Sequence, residues 1–204
     1  MTVTLQRVDD STSEQNNRLI EAELNRQRPP AGSPGTTLPT KALFIGKQVA
    51  YKAATGVYWN LLYTGEETYP WAKIGGPPLY TFSNTTRELT NQTTFVSLPT
   101  DPLAITIPAM VMECDITIAS NIQQLSASGL HLGRISYSMG ATAAENAWSA
   151  AAQNSAQFDS NESVKVTRQT LTSGAKVEEK ALTGGNYTMA YTRRRLLIDP
   201  VRVG

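Results

Sequence analysis

From residue 48 onward the apolar and polar positions of this chain alternate with a period of two. Val49 and Tyr51 alternate with Gln48, Ala50 and Lys52, which is strand periodicity, and Ala53-Ala54-Thr55-Gly56 then offers a turn in which glycine takes positive φ. In the next run Val57, Trp59, Leu61 and Tyr63 share one face, opposite Tyr58, Asn60, Leu62 and Thr64. After a turn at Thr64-Gly65-Glu66-Glu67, the segment Tyr69 to Ile74 reads as a third short strand. Gly75-Gly76-Pro77-Pro78 ends it, because consecutive prolines give no N–H to a ladder. Residues 38–80 thus predict a small aromatic β-module.

Upstream the pattern differs. Residues 1–10 read as an extended arm. Ser11 with Glu14 forms a capping-box pattern, and Ser13 to Gln27 holds good helix formers without Gly or Pro, so a helix is predicted there. Its apolar seam is narrow: Asn17, Ile20 and Leu24 line up at three- and four-residue spacing. Alone it buries too little to offset ordering. The pattern fits a short parallel bundle in which Asn17 fixes register, or a peg docked into a larger assembly, and residues 1–28 are read as an anchoring and oligomerisation segment. Residues 29–37 form a Pro/Gly-rich linker.

Downstream, residues 81–204 predict a sandwich. One or two edge strands fall within Thr81 to Thr100. From Met110 the alternation is clean, with Met110, Met112, Cys114, Ile116 and Ile118 inward and Glu113, Asp115 and Thr117 outward. Gly129 to Gly140 is a further strand. Residues 141–158 have helical alanine content but read as a loop with a short helical turn, anchored by Trp148 and Phe158. Strands follow over Ser163 to Thr172, Ala175 to Leu182 and Asn186 to Ile198, divided by Ser173-Gly174 and Gly184-Gly185 turns. The expected fold class is mainly β: an N-terminal helix, the aromatic module and a C-terminal jelly-roll-like sandwich.

Composition narrows the function. The 204 residues carry a net charge of +1 and only 17% charged residues, which argues against a dedicated nucleic-acid binder. No apolar run approaches the ~20 residues of a spanning helix, and the N-terminus lacks the apolar core of a signal peptide, so no membrane partner is expected. A single Cys and a single His leave no basis for a thiolate or histidine metal cluster, and no cofactor or metal is expected. His131 lacks the sequence context of a hydrolase base, and no catalytic residue is assigned. The acidic neighbours Asp9-Asp10, Glu66-Glu67 and Glu178-Glu179 point apart on a strand or turn and read as solvated charges. In Arg193-Arg194-Arg195 the outer two share one face, a stripe too small for strong phosphate binding.

The order G-x-x-V-x-Y-x-A-A-x-G-V-x-W-x-L-x-Y, carried by Gly46 to Tyr63, is followed by W-x-x-I-G-G-P-P-L-Y, carried by Trp71 to Tyr80. It resembles a module that recurs in tailed-bacteriophage virion proteins, among them minor tail proteins, tail fibres and head fibres. The likeness spans roughly residues 38–204 and closes on Asp199 to Val203. It departs at Ala72 and Lys73, where such proteins often have an acidic or aromatic residue.

The resemblance implies a virion structural protein assembled in the host cytoplasm, a threefold oligomer, and tail or capsid proteins as partners. On that reading the N-terminus attaches to the particle and the sandwich is displayed, contributing to host adsorption through a cell-surface glycan. Tyr58, Tyr69 and Trp148 are the candidate ligand-facing aromatics. A head decoration protein that stabilises the capsid is the alternative, and an enzyme acting on host polysaccharide is the more distant one.

Overall fold

A computed structural model describes residues 34–41, 43–125, 131–139, 142–143, 149–153 and 160–204. The expected helix, with Asn17, Ile20 and Leu24, lies outside the described residues, as does Trp148. Within the described residues the protein is mainly β, its strands pair antiparallel, and no helix occurs.

The strands of the first half are β1 (Gln48–Ala54), β2 (Val57–Tyr63), β3 (Trp71–Gly75), β4 (Leu79–Ser83), β5 (Arg87–Thr90) and β6 (Ala104–Thr106). They are followed by β7 (Met112–Gln124), β8 (His131–Met139), β9 (Thr142–Ala143), β10 (Ser149–Gln153), β11 (Ser160–Leu171), β12 (Lys176–Leu182) and β13 (Thr188–Val203). The larger sheet runs β1-β2-β3-β13-β7-β11, with β4 and β5 also on β13; the smaller runs β10-β8-β12-β6, with β9 beside β8. The two sheets pack in a sandwich-like arrangement.

β13 is the centre of the larger sheet. One edge pairs with β7 from Met189 to Val203. Along the other edge β3, β4 and β5 follow one another as a single interrupted strand, with Val203 opposite Trp71, Ile198 opposite Leu79 and Tyr191 opposite Arg87. Residues 76–78 and 84–86 connect them. Because β3 also pairs with β2, residues 38–80 and 81–204 share one sheet. Near the linker, Gly35 bridges to Tyr51: its N–H donates to the Ala50 carbonyl at 3.2 Å and its carbonyl accepts from the Lys52 N–H at 2.8 Å.

The core follows the alternation of β7, whose Met112, Cys114, Ile116 and Ile118 are all buried. They meet Leu196, Ile198 and Val203 of β13, Ile135 and Tyr137 of β8, and Val177 and Ala181 of β12 in one cluster. Gly133 makes the close approach of the sheets feasible. A Cβ there would lie 2.7 Å from Ile122 Cγ2 and 3.3 Å from the Tyr191 hydroxyl.

Two departures from the alternation matter. In β13, Arg193 and Arg194 together oppose Ser120, a bulge with Arg193 at φ +50°. The inward set therefore changes from Met189 and Tyr191 to Arg194, Leu196 and Ile198. Where described, residues 141–158 are strand and not the expected loop: β9 and β10 pair with β8. The ladder bonds that β8 offers override the helical preference of Ala150, Ala151 and Ala152.

Candidate functional site

The bulge at Arg193 aims Arg194 between the sheets, where Glu179 of β12 meets it. Both side chains are 0% exposed, and the guanidinium donates to Glu179 Oε2 at 2.7 Å. It also donates to the Asp101 carbonyl at 2.9 Å and to Asp101 Oδ2 at 3.2 Å, while Ser83 donates to the same carboxylate oxygen at 3.1 Å. The Leu103 N–H adds a bond to Glu179 Oε2 at 3.3 Å.

Burial pushes the Glu179 carboxyl above its ordinary value, and the positive charge of Arg194 pulls against that. Reading Glu179 as a solvated charge is therefore corrected: its parity on β12 places it inward with Val177 and Ala181. With both partners removed from solvent, this cluster is an inter-sheet clamp.

Glu178, on the opposite face, does meet solvent. Lys176, Lys180 and Ser97 all bond to its carboxylate, the Lys180 amine at 2.8 Å, and together they hold its pKa down to about 2. Cys114 is enclosed, and burial pushes its thiol up to about 12, which makes it a packing residue. Among the described residues no three His, Cys, Asp or Glu side chains gather as a metal site. His131 lies on β8, and its side chain is outside the described residues.

The aromatic module is organised by its exit. The indole of fully buried Trp59 donates to the Pro77 carbonyl at 2.8 Å. Gly76 takes φ +100°, and a Cβ there would lie 2.2 Å from the Tyr58 carbonyl oxygen. Gly-Gly-Pro-Pro thus serves as a clasp that folds over the Tyr58-Trp59 backbone and delivers Leu79 to β13. Tyr51 stacks on Trp59 at 6.0 Å and Tyr63 meets Trp71 edge-on at 5.2 Å.

Of the aromatics singled out in the sequence, Tyr58 is exposed and lies on β2 beside the clasp. Tyr69 is half-buried, its hydroxyl 3.3 Å from that of Thr170. The two sit at opposite ends of the β2-β3 pair, so they form no common surface. The exposed rings that do come together are Tyr80 and Phe82 of β4, 49% and 56% exposed and stacked with centroids 5.6 Å apart. Phe82 pairs across the sheet with exposed Arg195, and Tyr80 with half-buried Leu197.

The sequence signal for this pair is the parity of Leu79-Tyr80-Thr81-Phe82, and it needs the added fact that Leu79 faces in. A separate open groove of about 420 Å³ lies over Leu38, Leu43, Tyr63 and Trp71, with Glu66 and Glu67 at its rim. No protein-family model matches the chain, and no curated protein matches it.

Proposed function

We propose that this chain is a structural protein of a tailed-phage virion, a fibre or minor tail protein anchored through residues 1–28 and displaying a jelly-roll-like sandwich. Its mechanism is binding, in a homotrimer that attaches to other virion proteins and contributes to adsorption on the host cell. The observation that carries this reading is how the order of residues from Gly46 to Tyr80 is used. Trp59, Gly76 and Pro77 close a clasp, Leu79 enters the core, and the adjoining rings of Tyr80 and Phe82 are left outside. Such a module builds and presents a surface.

The test is location. Antibody raised against the purified chain is expected to label phage particles in electron micrographs, and deletion of residues 1–28 is expected to abolish incorporation while the sandwich still folds. Particles that lack the chain by mass spectrometry would refute the virion assignment. Light scattering of the full chain is expected to give three times the 22.2 kDa chain mass, and a monomer at all concentrations would remove the trimer.

A further inference from the structure

We infer that the outer face of β4 and β13 is a binding surface for an acidic glycan, with Tyr80 and Phe82 as the apolar platform and Arg195 as the charge partner. The inference rests on the adsorption role proposed above and supplies its ligand class. Tyr80 and Phe82 are about half exposed and stacked on each other, an apolar surface unusual for a lone strand. Arg195 lies directly across from Phe82, one strand spacing or about 5 Å away. Among the described residues its side chain has no ion pair or hydrogen bond. The nearest carboxylate on this face of β13, Asp199, is neutralised by Lys73 at 2.5 Å. The patch therefore carries a free positive charge beside two rings.

That combination is complementary to a sugar bearing a carboxylate. Its C–H face stacks on a ring, and the guanidinium takes the carboxylate in a charge-assisted bond. Across the sheet from Arg195 and Leu197 come Ala119 and Thr117, side chains shorter than the arginine and the two rings. Two rings and one guanidinium cover the footprint of about a disaccharide. A stable protein partner would bury ~800 Å² on each side, more than this patch offers. Nucleic acid would stack on the same rings, but among the described residues no groove of several cations runs along this face.

The test uses the full chain and immobilised polysaccharides of known composition: polygalacturonate and hyaluronate as acidic probes, dextran as a neutral one, and oligothymidylate as a nucleic-acid control. At least one acidic probe is expected to bind, at least tenfold more tightly than dextran or oligothymidylate. Phe82→Ser and Arg195→Gln are each expected to weaken that binding at least fivefold, and Arg195→Gln also to flatten its dependence on salt. All the altered groups are exposed, so thermal unfolding should be unchanged, and Phe44→Ser, on an exposed ring ahead of β1, should bind as the parent does.

Failure of both acidic probes to bind, stronger binding of dextran or oligothymidylate, or equal binding by the Phe82 and Arg195 variants would overturn the proposal. Incorporation into particles is scored separately. A chain that binds through these residues but is absent from virions refutes the virion reading and leaves the glycan surface standing.

Discussion

Gly76 combines two requirements at one residue. Its φ of +100° is open to glycine, and the space where a Cβ would sit is already filled by the Tyr58 carbonyl. Gly174 separates the two effects, since it has φ +73° with nothing within 4 Å. Gly174→Ala is expected to cost ~1–2 kcal/mol from the left-handed backbone alone. Gly76→Ala should cost ~3 kcal/mol or more, because the clasp must open as well. Urea unfolding of both variants measures the difference, and equal costs would mean that the clasp is not closed in solution. Glu178 makes a prediction of another kind. Its folded pKa of about 2 lies below the ordinary 4.5, so its contribution is fully present above pH 4.5 and is lost as pH falls toward 2. Glu178→Gln should flatten that acid limb of the stability curve; an unaltered limb would assign it to other carboxylates. Glu179, shifted upward, acts in the opposite sense and gains with acid.

At the scale of elements, β7 was legible because nothing interrupts it: Met112 to Ile118 alternate in sequence and are buried in alternation. β13 was legible only up to its bulge. Continuing the parity of Met189 and Tyr191 would bury Arg193, Arg195 and Leu197, whereas the extra residue at Arg193 buries Arg194, Leu196 and Ile198. No local residue type announces the bulge, since the left-handed position holds arginine where glycine would have signalled it. The inter-sheet ion pair was hidden for the same reason, and the exposure of Tyr80 and Phe82 depends on β4 pairing with the far side of β13, a contact about 115 residues away in sequence. Arg193→Gly is expected to be neutral or stabilising by up to ~1 kcal/mol, and Arg193→Val to destabilise by ~1–2 kcal/mol. Chemical denaturation checks the order; a valine tolerated as well as glycine would show that residue 193 does not hold the left-handed conformation.

Across the whole molecule the sheets are joined by apolar packing and by the Arg194-Glu179-Asp101 cluster. Arg194→Met leaves a buried carboxylate without its cation and is expected to cost ~3–5 kcal/mol, whereas Arg194→Met with Glu179→Leu should recover most of that loss. A double variant as unstable as the single one would mean that Asp101 is the partner that matters. The central place of β13 also bears on how the protein is made. β4, β5 and one edge each of β3 and β7 all wait for residues 188–203 before they can pair. At the usual pace of synthesis β4 stands unpaired for on the order of ten seconds. A ribosome that stalls before residue 188 therefore releases a chain with several open strand edges and nothing to close them, a substrate for chaperones or for aggregation.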